Sequence, residues 1–173
     1  MIASDAWVQA AIGLGANLGQ AASTLQAAAR TMTSNQGAFS GCQLVAASHL
    51  YRSAPYEASG PDYFNAVLMI RTSKSAEELL RALLQLEQQY GRERPARNAP
   101  RTLDLDLLTY GQTVIQSSGL TVPHPRLTER RFVLEPLAEI APGLSFPGLE
   151  GTIEKWLPQV STQAVQRTEL SLL

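Results

Sequence analysis

The sequence lacks several features that would identify a protein class at once. A single cysteine, Cys42, among 173 residues excludes an internal disulfide framework and suits a reducing compartment. There is no apolar run of about 18 residues, and no basic segment precedes an apolar one at the start, so neither a membrane span nor a signal peptide is predicted. The net charge of −1 gives no overall attraction to nucleic acid or membranes. The expected location is the cytoplasm.

The composition otherwise predicts a single globular domain. Hydrophobic residues make up 45% of the sequence and charged residues 17%, and no internal repeat, low-complexity tract or linker interrupts it. Helical and strand-like patterns alternate, which predicts one α+β domain over residues 1–173. Strands are predicted at residues 7–15, 43–55, 63–72 and 100–111, and helices at residues 21–32 and 75–91.

Capping and turn residues refine these predictions. Ser75 and Glu78 form an S-x-x-E capping box, and Gly91 is expected to end that helix. The glycine turn at residues 110–112 predicts a hairpin into the TVIQ segment, residues 113–116.

Prolines dominate the C-terminal third. LTVPHPRL, residues 120–127, is expected to be irregular, and ERRFVLEPLAEIAP, residues 129–142, to form a short helix interrupted near Pro136 and ended by Pro142. A short apolar element is expected at residues 153–157. The tail after residue 158 has no clear pattern.

PRTLDLDLLTYG, residues 100–111, places Asp104 and Asp106 between leucines at every second position. In a strand the two acids project from one face, about 7 Å apart, while the leucines face the core. Two carboxylates this close disfavour each other's ionisation unless a cation lies between them. Mg²⁺ takes such oxygen ligands and completes its coordination with phosphate and water. A strand face with solvated acids is the alternative.

Arginines are concentrated on both sides of this strand. Seven of the 14 Lys and Arg residues lie between positions 92 and 131 and all seven are arginine, which binds phosphate oxygens bidentately and keeps its proton. Together with the two acids they indicate a magnesium–polyphosphate site, whereas a solvated basic surface is the alternative. The seven are Arg92, Arg94, Arg97, Arg101, Arg126, Arg130 and Arg131.

Three further features have a functional and a structural interpretation. His124, between two prolines, is expected to contact a ligand, although a lone histidine is more often structural. Tyr63 and Asn65 can hold a flat heterocycle by stacking and amide pairing, although strand packing explains an aromatic residue equally well. GLGANLG, residues 13–19, departs from the dinucleotide fingerprint because its third glycine comes one residue late, and it predicts a tight turn.

These motifs together resemble the 6-hydroxymethyl-7,8-dihydropterin pyrophosphokinase family of folate biosynthesis. The resemblance covers residues 12–143 and rests on GLGANLG, YRSAPYEASGPDYFNAV, LEQQYGRERPARNAPRTLDLDLLTYG and LTVPHPRLTERRFVLEPLAEIAP. It implies a ferredoxin-like domain with a mainly antiparallel sheet, and transfer of pyrophosphate from ATP to the pterin hydroxymethyl group with release of AMP. It also implies two Mg²⁺ ions and two small-molecule substrates, without nucleic acid or membrane as partners. A monomer is expected.

The resemblance also implies roles for individual residues. Asp104 and Asp106 match the metal ligands, and Arg92 and Arg101 match the arginines that stabilise the transferring phosphates. Further ATP contacts are implied for Glu87, Arg94, Leu107, Thr121, His124 and Arg130. The pterin site is implied for Ser53, Ala54, Tyr63, Asn65 and Phe132.

The sequence departs from some family members at three places. Asn98 stands where some have a tryptophan that helps to seal the closed site, and Pro125 replaces a tyrosine beside the histidine. The loop at residues 56–60 is one residue shorter than in some relatives. None of these changes affects the aspartate pair.

Two other functions would also explain the arginine and aspartate cluster in part. A nucleic-acid-binding module would use residues 92–131 as a basic patch, but the aspartates would repel phosphate and no aromatic residues are interleaved for stacking. A metal-dependent phosphohydrolase would share the acids and arginines and would use water as the nucleophile.

Overall fold

An antiparallel sheet with helices on both faces makes up the structure, a computed structural model that describes residues 6–55, 60–91 and 102–173. The strands are β1 (Val8–Ala16), β2 (Cys42–Ala47), β3 (His49–Ser53), β4 (Tyr63–Thr72), β5 (Asp104–Tyr110), β6 (Ile115–Gln116), β7 (Thr121–Val122) and β8 (Val165–Ser171). The helices are α1 (Ala21–Met32), α2 (Ala76–Gln89), α3 (Arg131–Ile140) and α4 (Ile153–Trp156). The predicted α+β class is confirmed.

The sheet has the ferredoxin-like arrangement. Its strand order is β5-β1-β4-β3-β8, and β2 pairs with β4 beside β3. The unit β1–α1–β2 encloses β4, and the unit β4–α2–β5 encloses β1, so two split βαβ units interlock in one antiparallel sheet. The expected ferredoxin-like topology is therefore confirmed.

Strand alternation separates the two faces of this sheet. Ile12 of β1, Leu68 of β4 and Leu105 of β5 pack against α1 and α2 in one core cluster. Val67 and Leu108 point the other way and pack with α3 and α4 in a second cluster. Because α3 and α4 are short, the second face is covered at one end and remains accessible at the other.

Several local predictions are confirmed. Helix α1 and strand β4 have the predicted bounds, and α1 buries alanines and Leu25 along one side. At α2 the Ser75 hydroxyl accepts from the Glu78 amide, and the Glu78 carboxylate accepts from the Ser75 amide. Gly91 follows α2 with φ of 72°, the left-handed conformation in which glycine ends a helix without steric cost.

Other predictions are wrong. The segment at residues 113–116 does not pair with β5, because β6 forms a separate two-stranded sheet with β7. LTVPHPRL is therefore not wholly irregular: Thr121–Val122 is a strand that ends at Pro123. Pro136 does not interrupt α3, since the proline removes a single helical hydrogen bond and the helix is held by its buried face. The turn predicted for GLGANLG covers only its end: Gly13 and Gly15 lie inside β1, as the strand predicted at residues 7–15 requires, and Gly19, with φ of 58°, lies in the turn that follows.

Two further elements differ from expectation. The strand predicted at residues 43–55 is divided at Ser48, whose hydroxyl accepts from the Val67 amide and donates to the His49 carbonyl. The tail contains β8, which was not predicted because most of its residues are exposed and polar. None of the helices in the described ranges has the length and apolarity that a membrane crossing requires.

A cluster of polar side chains joins the far end of α3 to β3 and β8. The Glu139 carboxylate accepts from the His49 amide, lies 2.6 Å from His49 Nδ1 and accepts from the Tyr51 hydroxyl at 2.7 Å. Arg167 of β8 approaches the same carboxylate to 3.7 Å. Burial alone would raise the pKa of Glu139, but the hydrogen bonds from His49 and Tyr51 outweigh it and lower that pKa.

We expect Glu139→Gln to reduce stability at neutral pH and to have little effect in acid. The folded-state pKa of Glu139 is lower than its unfolded value, so its stabilisation is present above the unfolded pKa and disappears as the pH falls through the folded pKa. Because the side chain is 21% exposed, the loss at pH 7 should be about 1 kcal/mol. Urea denaturation at pH 7 and pH 3 measures both values.

The matched control is Glu169→Gln, the same change at an exposed position of β8. It should alter stability little at either pH. An equal loss for Glu139→Gln at both pH values would contradict the assigned role of the ionised carboxylate.

Candidate active site

A pocket occupies the accessible end of the second sheet face, beside the start of α3. It contains about 810 Å³ of empty space, counting its open mouth, which is within the range of small-molecule sites. Three strands form its floor, and the first turn of α3 forms a wall. The lining residues are Gly13, Leu14, Gly15, Ser53, Ala54, Tyr63, Asn65, Ala66, Asp104, Asp106, Arg126, Arg130, Phe132 and Val133.

The floor of the pocket is set by the register of β5, β1 and β4. Gly15 lies opposite Asp104 on one side and opposite Asn65 on the other. Since neighbouring strands are about 4.8 Å apart, the backbones of Asp104 and Asn65 are about 10 Å apart with no side chain between them. Gly13 makes a second such gap beside Asp106.

Gly15 also leaves room in front of Asn65. A Cβ atom at this position would lie 3.3 Å from Asn65 Oδ1, closer than most such contacts in proteins. Asn65 Nδ2 donates to Ser53 Oγ at 2.8 Å, which fixes the orientation of the amide. The carbonyl oxygen of Asn65 is thereby held over the glycine floor, where a flat ring has access to it.

The aspartate pair has the predicted orientation. Leu103, Leu105 and Leu107 are 1–4% exposed in the core, whereas Asp104 and Asp106 between them are half-buried and line the pocket. Two carboxylates on one face of a rigid strand fit the oxygen-donor preference of Mg²⁺. The described residues contain no group of three acidic, histidine or cysteine side chains placed to hold a metal. Within the described part of the chain, Asp104 and Asp106 are therefore the two carboxylates available to a metal ion in this pocket.

Two cationic or hydrogen-bonding groups face Asp106. The Nη1 atom of Arg130 lies 3.6 Å from Asp106 Oδ2, and His124 Nε2 lies 3.8 Å from Asp106 Oδ1. Arg130 also lies over the Phe132 ring, with its guanidinium carbon 5.6 Å from the ring centroid. The basic wall of the pocket is thus next to its aromatic wall.

The backbone fixes the protonation of His124. The Arg126 amide donates to His124 Nδ1 at 3.1 Å, so Nδ1 accepts and the ring proton is on Nε2, which faces Asp106. Burial and the nearby Arg130 lower the His124 pKa to about 4, which leaves the ring neutral at pH 7. His124 can therefore donate a hydrogen bond into the site but has no unprotonated nitrogen directed at it.

The structure brings together most of the predicted residues that it describes. Eight line the pocket, and His124 lies against Asp106. Three residues that were expected to contact the nucleotide do not line this pocket. Glu87 and Leu107 are buried, and Thr121 is exposed on β7. Their nucleotide roles stay predictions. Arg92 and Arg101, which are expected to be catalytic, and also Arg94, Arg97 and Asn98, lie outside the described residues.

The sequence did not indicate Gly13, Leu14, Gly15, Ala66 or Val133 as lining residues, and it indicated Arg126 only as one of the seven arginines. For the glycines a signal existed, because glycine inside a strand often marks a place where a ligand or another backbone comes close. Arg126 belonged to the noted arginine group, but nothing in the sequence separates it from Arg131, which instead pairs with Glu135 at 2.9 Å.

Comparison with known proteins assigns the family. The sequence pattern of the 7,8-dihydro-6-hydroxymethylpterin-pyrophosphokinase family matches residues 11–142. The chain belongs to this family. A 2-amino-4-hydroxy-6-hydroxymethyldihydropteridine pyrophosphokinase of Synechocystis is 41% identical over 90% of this chain and 78% of its own length. One from Methylorubrum extorquens is 36% identical over 93% of this chain and 99% of its own.

Some relatives are much longer proteins. A folic acid synthesis protein of Pneumocystis carinii is 38% identical over 79% of this chain, which corresponds to 18% of that protein. The solved structure of wild-type Plasmodium falciparum HPPK-DHPS with SDX-DHP matches with a TM-score of 0.68 and 12% identity, over 89% of this chain and 44% of the other. At this identity the structural match shows the fold alone.

We expect His124 to be found as the neutral Nε2–H tautomer at pH 7 in the ligand-free protein, because Nδ1 accepts the Arg126 amide proton. Imidazole ¹⁵N chemical shifts report the tautomer directly. The sequence has two histidines, so spectra of a His49→Gln variant assign the signals. An Nδ1–H tautomer or an imidazolium ring at pH 7 would contradict the assignment.

Proposed function

We propose that this protein transfers the terminal pyrophosphoryl group of ATP to the hydroxymethyl oxygen of 6-hydroxymethyl-7,8-dihydropterin. A new bond forms between that oxygen and the β-phosphorus of ATP. The bond from the β-phosphorus to the oxygen bridging to the α-phosphate breaks, and AMP leaves with that oxygen and its electron pair. The hydroxyl proton is released to the surroundings.

The observation that carries this proposal is that two kinds of binding group share one pocket. Asp104 and Asp106 lie at one side of the glycine floor, and Asn65, held by Ser53, lies at the other. Asn65 is placed to read the edge of a heterocycle, with Tyr63 and Phe132 as the aromatic surfaces. A bound pterin would have its hydroxymethyl group directed across the floor toward the carboxylates.

We further propose that Asp104 and Asp106 hold two Mg²⁺ ions. Magnesium bound here would supply positive charge to the β- and γ-phosphates. The aspartates provide fixed, half-buried oxygen donors on one strand face, and the leucines between them anchor that strand in the core. The chain therefore positions the charge, and little covalent chemistry is required of it.

The remaining side chains orient the polyphosphate. Arg130 and the Nε2–H of His124 face Asp106 and are placed to donate hydrogen bonds to phosphate oxygens bound beside it. The family resemblance assigns the same kind of role to Arg92 and Arg101, which would stabilise charge that develops during transfer. Since His124 presents only a donor, it does not act as the general base, and the reaction depends on positioning of the hydroxyl group.

Two properties remain expectations from the sequence. The protein is expected to work in the cytoplasm, where its buried Cys42 would stay reduced, and to be a monomer. Light scattering coupled to size-exclusion chromatography measures the second property. The assignment of residues 1–173 to one catalytic domain is likewise an expectation from the sequence.

Incubation with Mg-ATP, with and without the hydroxymethyl dihydropterin, tests the proposed reaction. We expect AMP to appear only when the pterin is present, in a one-to-one ratio with the pterin diphosphate, because the hydroxymethyl oxygen is the nucleophile. Chromatography of the nucleotides identifies the product. ADP would contradict pyrophosphoryl transfer, pterin-independent hydrolysis would favour a phosphohydrolase, and the absence of turnover would favour a nucleic-acid-binding module.

We expect Asp104→Asn and Asp106→Asn each to lower kcat by about a hundredfold or more, since each removes a charge that would hold magnesium against the phosphates. Affinity for the pterin alone, measured by its fluorescence, should stay close to wild type because Asn65 and the aromatic residues are unchanged.

The control is Glu150→Gln, which removes an exposed carboxylate in the loop before α4. It should leave turnover unchanged. Near-normal turnover of both aspartate variants would refute the assignment of the metal ligands.

A further inference from the structure

Glu87 is a fully buried acid on the apolar side of α2. Its exposure is 0%, and its neighbours along the helix face are Leu83 and Leu86. It also lies in the last turn of α2, where the helix dipole disfavours negative charge. Burial of a carboxylate is costly without hydrogen-bonding partners. A leucine would satisfy the packing at this position, so the carboxylate has another role.

The Glu87 carboxylate accepts a backbone hydrogen bond at the edge of the sheet that a neighbouring strand would otherwise accept. Within the described residues β5 lies at the edge of the sheet, and β1 is its strand partner. Glu87 Oε1 accepts a hydrogen bond from the Leu105 amide at 2.7 Å. The distance is at the short end of the range for bonds from a backbone amide to an oxygen atom, so this is a well-formed hydrogen bond. The peptide that receives this support lies between Asp104 and Asp106.

The segment of β5 that contains Asp104 and Asp106 needs a second support, because its pairing with β1 is irregular nearby. The β1–β5 pairing is regular from Asp104 to Leu107 and then shifts register, because Leu108 is inserted between the partners of Ile12 and Ala11. Such a bulge bends and twists an edge strand. Asp106 is two residues from the irregularity, so β1 alone constrains its side chain less than it would in a continuous ladder. Glu87 holds the backbone from the opposite side.

The same bond joins two parts of the chain that are 18 residues apart. Glu87 lies before Gly91, at the end of α2, and Leu105 lies just inside β5. The bond thus fixes the end of α2 relative to the strand that carries the carboxylates.

We propose that Glu87 is a positioning residue that fixes the spacing and direction of the Asp104 and Asp106 carboxylates through the backbone amide of Leu105. This positioning role requires no contact with the substrates, and the direct ATP contact that the family resemblance implies for Glu87 stays a separate prediction. The proposal deepens the proposed pyrophosphokinase function, since the carboxylate geometry matters for the metal ions expected there.

Hydrogen exchange in the ligand-free protein tests the bond itself. The variants are Glu87→Ala, which removes the acceptor, and Glu87→Gln, which keeps an acceptor oxygen of the same reach; Gln88→Ala, at the exposed neighbouring position of α2, is the control. We expect the Leu105 amide to exchange about tenfold to a hundredfold faster in Glu87→Ala, as for a buried amide that loses its acceptor. Glu87→Gln should restore most of the protection, and Gln88→Ala should change nothing.

Kinetics tests the consequence. At saturating ATP, the Mg²⁺ concentration for half-maximal rate should rise about tenfold in Glu87→Ala and kcat should fall, while pterin affinity stays near wild type. Glu87→Gln should recover most of the lost Mg²⁺ affinity. A purely structural role would lower the folded fraction, which circular dichroism reports, without changing the Mg²⁺ dependence of the folded enzyme. That result would overturn the proposal, as would unchanged Leu105 exchange in Glu87→Ala.

The two proposals can fail separately. If wild-type protein forms no AMP, the proposed reaction fails, yet Leu105 exchange still reports whether Glu87 holds the strand. If Glu87→Ala does not fold, the exchange rate of the Leu105 amide in wild type and in Glu87→Gln tests the proposal. Rapid exchange in wild type would overturn it, and slow exchange in both proteins would support it.

Discussion

The register of three adjacent strands is the constraint from which the site follows. In β1, β4 and β5 the residues that point away from α1 and α2 include Asp104, Gly15 and Asn65, which lie side by side. A shift of one residue in the pairing of β5 with β1 would send the acids into the leucine core and a leucine into the pocket. The apolar residues that fix the register, such as Leu105 and Ile12, therefore determine the geometry of the polar face as well.

Helix α3 then divides the polar face into an accessible and a covered part. Val133 and Leu134 pack on Val67 and Leu108, so the helix begins at the edge of the carboxylate row and runs away from it. Its first turn contributes Phe132, and Arg130 immediately precedes it. The start of α3 thus supplies the aromatic wall, and the residue before it supplies the cation proposed to bind phosphate, so the two proposed binding functions lie side by side.

Periodicity predicted the parts of this arrangement that depend on local sequence. The alternation of leucine and aspartate in β5 and the capping box of α2 are local signals, and both are found in the structure. The exposed, polar β8 carries little apolar alternation and was missed. The pairing of β6 with β7 instead of β5, and the gap that Gly15 leaves beside Asn65, depend on contacts between distant segments. Such contacts cannot be recognised from any one position in the sequence. The family resemblance supplied the expected site residues that periodicity could not predict.

Two acids from opposite faces stabilise the two flanks of the sheet. On one flank Glu87 of α2 holds the backbone of β5, and on the other Glu139 of α3 holds β3 with support from β8. Between these flanks the floor has glycines where other sheets have side chains, and glycine gives a strand less packing and more conformational freedom. A floor that is open enough for a ligand therefore gains its rigidity from its borders, since the interactions that fix it cannot lie where the substrate binds.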